Sequence, residues 1–384
     1  MQKFVIKTIS VKNPANEISK IGYDKSYVFR AVDKFAHLNL KIFGVTSAQA
    51  NILKQSALSV GADCATNKNV ITGQVEKSDC ILGGNYAQLQ TIAQKLKLQP
   101  FGLSELACEI EQQINIAKNQ SKTKIVGVLN LTQNSFSDGG LYYKTEDALK
   151  HLEELITDGA DIIDIGAEST KPYSSPVTSE KQLELIVPVL EYINKQNINI
   201  PISIDTRSSV VAKECIKLGA SIINDVSGLE YDEAMADVVA GCPDVKVIIQ
   251  HSKGTPENMQ DSPVYKNLID EIFMSLKDKT DYAMSKGVKK ENIIVDAGIG
   301  FGKSREDNFE IIQRWSEFKS LGYPVMLGVS RKSLLNMPDA SNDEKDVYSL
   351  ALGGILMNQG LDYLRVHNVK IHTALKNMIY GTGS

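Results

Sequence analysis

The sequence predicts an α/β protein whose larger part is a (β/α)8 TIM barrel, preceded by a small α/β N-terminal domain. From about residue 120 to the end, eight short apolar segments alternate with helical patterns. Strands that helices cover on both faces are nearly continuously apolar in this way. Eight such units over about 256 residues match the usual size of a closed parallel barrel. An open doubly wound sheet is the competing architecture, but the first βα turn lacks its nucleotide-binding glycine pattern.

The barrel elements follow from apolar runs and helical periodicity. The predicted strands are 125–129, 161–165, 201–204, 221–223, 246–249, 292–295, 324–327 and 362–366. A helix over 145–158 has one apolar face, acidic residues in its first turn and Gly159 after its end. A second helix over 179–194 opens with Ser179-x-x-Gln182, a capping-box pattern, and contains Pro188, which should kink it.

The N-terminal part has apolar patterns of its own. Residues 4–9 and 41–45 are predicted strands, and residues 48–60, 85–96 and 104–117 are predicted helices. The polar stretch 117–124 is typical of a linker. We therefore predict two domains, over 1–118 and 123–380.

Composition excludes several classes of protein. Acidic residues number 46 against 42 basic ones, so the net charge of −4 argues against a bulk nucleic-acid binder. Five dispersed cysteines without a CxxC pair indicate free thiols in a reducing compartment rather than a zinc site. The sequence shows no pattern of a signal peptide and no apolar run long enough for a membrane span, so we expect a cytoplasmic protein without a membrane partner.

Polar residues follow every predicted barrel strand. Active sites of such barrels lie at the C-terminal ends of the strands. A single Asp or Asn there is as often a turn former or an N-cap, so only the complete set carries weight. The strand-end residues are Asn130, Asp164, Asp205, Asn224, Asp225, Gln250, His251, Asp296, Ser330, Arg331, Lys332, Arg365 and His367.

The chemistry of this set indicates the type of ligand. Asp205, Asn224 and Asp296 suit a flat heterocycle that presents several N–H donors and a carbonyl. The cations Arg331, Lys332 and Arg365, with His367, suit a phosphate or diphosphate. Loops 132–141 and 168–177 are rich in Ser, Gly, Asp and Pro, which is typical of lids at a barrel mouth. The sequence thus predicts a site for a heterocycle with a phosphorylated leaving group.

Seven segments resemble, in order, the signatures of the dihydropteroate synthase family. They are residues 126–140, 164–172, 203–206, 223–225, 296–303, 330–333 and 365–367. The resemblance covers about residues 123–380. It implies a transferase of folate biosynthesis that condenses 6-hydroxymethyl-7,8-dihydropterin pyrophosphate with p-aminobenzoate, releasing pyrophosphate and 7,8-dihydropteroate. It also implies Mg²⁺ as cofactor and a homodimer.

The resemblance also implies roles for individual residues. The implied pterin pocket is Asp205, Asn224, Asp296 and Lys332. The implied diphosphate contacts are Thr170, Arg365 and His367, and the implied Mg²⁺ ligand is Asn130. The implied neighbours of p-aminobenzoate are Ser169, Pro172 and Ser333. The implied catalytic residues are Asp138, Asp205, Lys332 and Arg365, of which Asp138 or Asp205 would stabilise a cationic pterin methylene. His251 is expected to be structural.

Other functions remain open at this point. A methyltetrahydrofolate-dependent methyltransferase would keep the pterin set but does not need the diphosphate-directed residues. A non-catalytic pterin-binding scaffold would predict gaps in the polar set. A dehydrogenase is suggested only by Gly298-x-Gly300-x-Gly302, which lacks the full dinucleotide-binding spacing.

The N-terminal domain leaves a further alternative. Some bacterial synthases carry an extension associated with flavin-dependent reduction of dihydropteroate, which would make the chain bifunctional and FMN a second cofactor. Gly83-Gly84-Asn85 before a helix would cradle a phosphate in that case. An ordinary turn followed by an N-cap is the favoured interpretation, and a structural or dimer-supporting domain is the favoured role.

Overall fold

The chain divides into two compact units, Met1–Asn119 and Gln120–Ser384. The computed structural model describes residues 6–9, 14–119, 121–131, 141–168, 176–254, 264–332 and 340–381. Within these ranges, no helix is long and apolar enough to cross a membrane.

The first unit is a three-stranded antiparallel sheet with helices packed on it. Its elements are α1 (Ala15–Lys20), α2 (Val28–Val32), β1 (His37–Thr46), α3 (Ser47–Leu58), β2 (Asp63–Thr66), β3 (Lys77–Asn85), α4 (Tyr86–Leu96) and α5 (Leu103–Lys118). The strand order is β1-β3-β2. Apolar side chains of α3, α4 and α5 pack with Cys64, Cys80 and Leu82 of the sheet. Ile81, which alternates with the buried pair of β3, is 49% exposed.

These elements confirm most of the N-terminal predictions and correct one. The strand around 41–45 and the three helices are present. The predicted strand 4–9 is wrong over residues 6–9, which have no regular structure, and residues 4 and 5 lie outside the described ranges. A strand needs a pairing partner as well as apolar residues, and a sequence pattern shows only the residues.

The segment before α4 is an N-cap, as the favoured interpretation held, but it is not a turn. Gly83 and Gly84 lie within β3, where they pair with Asn39 and Leu38 of β1. Asn85 Oδ1 accepts the Gln88 amide hydrogen at 2.9 Å, and Gln88 Oε1 accepts that of Asn85 at 2.8 Å. The two N–H groups thus bond to side chains of the capping box at the start of α4. The flavin hypothesis gains no support from these residues.

The second unit is the predicted barrel. Its strands are β4 (Lys124–Asn130), β5 (Ile162–Gly166), β6 (Ile202–Asp205), β7 (Ile222–Asp225), β8 (Lys246–Gln250), β9 (Ile293–Asp296), β10 (Val325–Gly328) and β11 (Tyr363–Val366). They close in the order β10-β11-β4-β5-β6-β7-β8-β9, and every pairing is parallel. Closure excludes the open doubly wound sheet. The predicted strands agree with these bounds to within two residues.

Helices separate the strands. They are α6 (Leu141–Thr157), α7 (Ser179–Lys195), α8 (Ser209–Lys217), α9 (Met235–Ala240), α10 (Leu268–Ser285), α11 (Arg305–Arg314), α12 (Asn342–Asn358) and α13 (Val369–Tyr380). Short 3₁₀ helices cover Lys290–Asn292 and Trp315–Leu321.

The predicted capping box of α7 is wrong. Thr178, not Ser179, is the N-cap, and its hydroxyl accepts the Lys181 amide hydrogen. Gln182 instead turns inward, where it donates to the Val177 carbonyl at 2.9 Å and accepts from the Thr206 hydroxyl at 2.8 Å. Helix α7 continues through Pro188 as one element.

Strand alternation builds two layers inside the barrel. The lower layer is apolar: Val126, Ile162, Ile222, Ile248, Ile294, Met326 and Tyr363. Two residues further along the same strands, and so on the same face, the upper layer is mostly polar: Val128, Asp164, Asn224, Gln250, Asp296, Gly328 and Arg365. The residues between them, such as Ile163, Ile223 and Val295, pack outward under the helices. The upper layer, together with Asp205, which is level with Asn224, is called the polar floor below, and it lies on the apolar layer.

Candidate active site

Strand register brings the predicted residues of the upper layer together. Asp205 is level with Asn224 on the neighbouring strand, and Gly166 is level with Asp205. Across the barrel, Arg365 is level with Gly328. Asp205, Asn224 and Asp296 are all buried. These side chains thus converge at the C-terminal end of one barrel.

Asp164 is the centre of the floor. Its Oδ2 accepts from Arg365 Nε at 2.6 Å and from Asn224 Nδ2 at 3.2 Å. Arg365 Nη2 donates to Asp205 Oδ2 at 2.8 Å. Sequence reasoning noted Asp164 as a strand-end residue but gave it no role in the site. The available signal was its position: it is a charged residue two places after the inward-facing Ile162.

Two acceptors of this floor have no partner among the described residues. Asp164 Oδ1 and Asn224 Oδ1 are buried and receive no hydrogen bond from the part of the chain that the structure describes. A buried polar atom without a partner costs about 1–3 kcal/mol. Native proteins rarely leave such atoms unpaired, so they indicate that a ligand with N–H donors belongs here.

Lys332 reaches the floor from the loop after β10. Its ammonium donates to the Ile299 carbonyl and lies 4.7 Å from the centroid of the Phe301 ring. Asp296 Oδ1 accepts the Gly298 amide hydrogen at 2.7 Å. A Cβ at Gly328 would lie 3.9 Å from Lys332 Nζ. Lys332 therefore lies between the loop after β9 and strand β10, which pairs with the strand that contains Arg365.

Burial shifts the pKa values of two groups of this site towards neutral pH. It raises the pKa of Asp205 to about 7, although the Arg365 charge opposes the rise. It lowers the pKa of Lys332 to about 8 against the attraction of Asp296, whose own pKa burial raises. Perturbed carboxylates and amines gathered in one place are typical of a functional site.

His367 is a neutral imidazole at the rim. Burial and the nearby Arg365 charge lower its pKa to about 3. Its Nδ1 lies 3.0 Å from the Ser330 hydroxyl, which also accepts the His367 backbone N–H at 3.2 Å. When that hydroxyl donates its proton to Nδ1, the proton of the neutral ring is on Nε2.

The glycines after β9 permit close backbone packing. Gly298, Gly300 and Gly302 all have positive φ, at 69°, 84° and 65°. A Cβ at Gly298 would lie 1.9 Å from the His251 carbonyl oxygen, and one at Gly302 would lie 2.2 Å from that of Lys253. The run thus packs against the end of β8, which accounts for the glycines without a dinucleotide.

A buried lysine–histidine contact supports the same loop. Lys303 Nζ lies 2.9 Å from His251 Nδ1 and donates to the Phe301 carbonyl at 2.9 Å. Burial lowers the pKa of His251 to about 2 and that of Lys303 well below its usual range. Sequence reasoning placed Lys303 in a motif but did not find this contact.

Part of the predicted site lies outside the described residues. These positions are Asp138, Ser169, Thr170, Pro172 and Ser333, together with nearly all of the two loops that contain the first four. They stay predictions.

Asn130, the predicted metal ligand, ends β4. A Cβ at Gly166 would lie 3.3 Å from Asp205 Cβ, 3.6 Å from Asp205 Oδ2 and 3.7 Å from Asn130 Oδ1, so both side chains border the end of β5. The described ranges contain no cluster of three or more His, Cys, Asp or Glu that would hold a metal. Asn130 supplies an amide oxygen, a ligand type that Mg²⁺ accepts when substrate oxygens and water complete the coordination.

Comparison with known proteins extends this description. Residues 126–367 match the family model of pterin binding enzymes. A dihydropteroate synthase of Clostridium beijerinckii is 42% identical over 65% of this chain and 90% of its own length. A solved dihydropteroate synthase of Clostridium difficile, crystallised with pteroic acid, is 38% identical, with a TM-score of 0.63 over 69% of this chain and 99% of its own.

A longer relative also matches the N-terminal unit. A probable bifunctional folylpolyglutamate synthase/dihydropteroate synthase of Halobacterium salinarum is 34% identical over 90% of this chain, more than the barrel unit alone provides. This chain spans only 43% of that relative's length. The family model covers more than half of this chain. The chain therefore belongs to the pterin-binding enzyme family, among the dihydropteroate synthases.

Proposed function

We propose that this chain condenses 6-hydroxymethyl-7,8-dihydropterin pyrophosphate with p-aminobenzoate to give 7,8-dihydropteroate and pyrophosphate. One observation carries the proposal: Asp164, Asp205, Asn224 and Arg365 form a connected buried floor in which two acceptor oxygens have no partner among the described residues. The pterin edge, with several N–H donors, would satisfy both atoms.

The floor binds and orients the pterin. Asn224 and Asp296 accept its N–H groups, and Lys332 donates to its ring acceptors. Asp205, held by Arg365, lies close to the reacting end. Arg365 uses Nε and Nη2 to hold two carboxylates, and because a guanidinium has five N–H groups, others remain for the diphosphate. The fixed charges need no reorganisation during the reaction.

The reaction exchanges one bond for another. The bond between the pterin methylene and the diphosphate oxygen breaks, and its electron pair leaves with pyrophosphate. Arg365 and the Nε2–H of His367 stabilise the charge on the departing oxygens. Asp205 stabilises the cationic methylene, and the amine of p-aminobenzoate then forms the C–N bond and releases a proton to solvent. No protein nucleophile is required.

Other roles rest on the resemblance. Asn130 would hold Mg²⁺, which supplies positive charge to the diphosphate. Asp138 would support the methylene cation, Thr170 the diphosphate, and Ser169, Pro172 and Ser333 the p-aminobenzoate. We also propose a cytoplasmic homodimer in which residues 123–380 form the catalytic domain and residues 1–118 a structural or dimer-supporting one.

The proposal is tested by incubating the full chain with the pterin pyrophosphate, p-aminobenzoate and Mg²⁺. Chromatography should show dihydropteroate and an equal amount of pyrophosphate. Lys332→Ala and Asp205→Ala should abolish pyrophosphate release while circular dichroism shows a folded protein. Turnover retained in either variant would show that the floor is wrongly assigned. Methyl transfer from methyltetrahydrofolate without condensation would favour the methyltransferase alternative.

A further inference from the structure

Arg331 is held in an unfavourable backbone conformation directly before Lys332. Its φ of 55° lies in the left-handed region, which costs a residue with a side chain about 1 kcal/mol. Such a conformation persists only where surrounding contacts enforce it. The contacts that enforce it therefore show which neighbours determine the position of Lys332.

Helix α12, which lies between β10 and β11 in the chain, supplies these contacts. Asp346 accepts from both Nε and Nη2 of Arg331, each at 2.8 Å. The Ser349 hydroxyl, one turn further on, accepts the Arg331 backbone N–H at 3.2 Å. The side chain of Asp346 is 4% exposed. Burial raises its pKa, but the hydrogen bonds from Arg331 and Asn368 outweigh burial and lower it overall.

The same carboxylate reaches a second segment of the site. Asn368 Nδ2 donates to Asp346 Oδ2 at 3.0 Å. Asn368 is the N-cap of α13 and directly follows His367. Ser330, the neighbour of Arg331, contacts His367 from the other side. Asp346 thus links the segment that carries Lys332 to the segment that carries His367.

We propose that Asp346 is a positioning residue that sets the distance between Lys332 and the His367 end of the site, and so the binding of the substrate's diphosphate. The inference rests on the proposed function. Stability alone does not explain the arrangement, because a buried ion pair is often no more stabilising than apolar residues of the same volume. Positioning explains why Asp346, together with Ser349, maintains a strained residue next to Lys332 while it also holds Asn368, the residue after His367.

The test compares how variants bind the pterin with and without its diphosphate. Asp346→Asn keeps the volume and removes the charge. Arg331→Gly removes the ion pair and also the strain, because glycine adopts positive φ freely. Glu317→Gln is the matched control, since Glu317 accepts from Arg314 at 2.7 and 3.0 Å in an exposed pair on the Trp315–Leu321 segment.

We expect both site variants to lose about 10²-fold in kcat/KM, the usual effect of a displacement near 1 Å. By calorimetry, the affinity advantage of the pterin diphosphate over 6-hydroxymethylpterin should fall about tenfold or more. Both ligands share the ring contact with Lys332, but only the diphosphate also depends on the distance from Lys332 to His367. The control should change neither value. Wild-type turnover in the same assay tests the proposed function separately.

Two outcomes would overturn the inference. An unchanged affinity advantage in both site variants would show that Asp346 only stabilises the fold. Arg331→Gly decides this even if Asp346→Asn fails to fold. Tighter diphosphate binding in Asp346→Asn, with weaker binding in Arg331→Gly, would show that the guanidinium itself binds the diphosphate.

Discussion

Replacing Gly298 by alanine should disable the site through the backbone. The new Cβ would lie 1.9 Å from the His251 carbonyl oxygen, whereas real Cβ atoms keep at least 3.0 Å, so the loop must move by about 1.1 Å. The Gly298 amide binds Asp296, and the next carbonyl binds Lys332. The displacement is therefore passed directly to two groups of the proposed pterin pocket.

Gly298→Ala should reduce both the stability of the protein, through its backbone conformation, and its kcat/KM, through the displacement of the site. A φ of 69° costs alanine about 1 kcal/mol of stability relative to glycine. A displacement near 1 Å in a binding site costs about 10²-fold in kcat/KM, or about 2.7 kcal/mol in the transition state. The assay is kcat/KM for dihydropteroate formation beside denaturant unfolding of the same samples.

Gly360→Ala is the matched control. Gly360 has a φ of 85°, but among the described residues no atom beyond its chain neighbours lies within 4 Å of its Cβ position. This variant should lose about 1 kcal/mol of stability and keep its kcat/KM. If Gly298→Ala retains kcat/KM as fully as Gly360→Ala does, the close approach to His251 does not position the site and the reasoning is wrong.

Three further predictions concern charge and capping. Because burial lowers the pKa of Lys332 to about 8, its charge destabilises the fold at pH 7. Lys332→Met should therefore raise the free energy of unfolding, measured in urea, by at most about 3 kcal/mol, yet lose turnover. A less stable variant would contradict this. Because the pKa of Asp205 is raised to about 7, the folded state binds its proton more tightly, so the free energy of unfolding should fall as pH rises from about 4 to 7. Asp205→Asn should flatten that fall, and parallel profiles would refute the shift. Asn85→Ala removes the cap of α4 and should destabilise the first unit by about 1 kcal/mol, measured as faster amide exchange in α4; unchanged exchange would show that the cap contributes nothing.

Much of the barrel could be predicted because its signals are local. A short apolar run followed by a polar residue identifies a barrel strand and its C-terminal end without knowledge of its neighbours. Asp205, Asn224, Asp296 and Arg365 were predicted in this way. The structure sets Asp205 level with Asn224 and joins Asp205 to Arg365 by a hydrogen bond. The predicted strand 4–9 failed over residues 6–9 because strand formation also depends on a distant partner.

The sequence by itself determined the eight strands, the polar ends and the family resemblance. Only the tertiary structure decided that Asp164 connects Arg365 to Asn224, and that Asp346 holds Arg331 in its strained conformation. The two oxygens without partners among the described residues also become visible only there. The physical reason is that strand alternation is a property of neighbouring residues in the chain, whereas hydrogen bonding and burial depend on register between strands far apart in sequence. Asp164, for example, is separated from Asn224 by 60 residues and from Arg365 by 201.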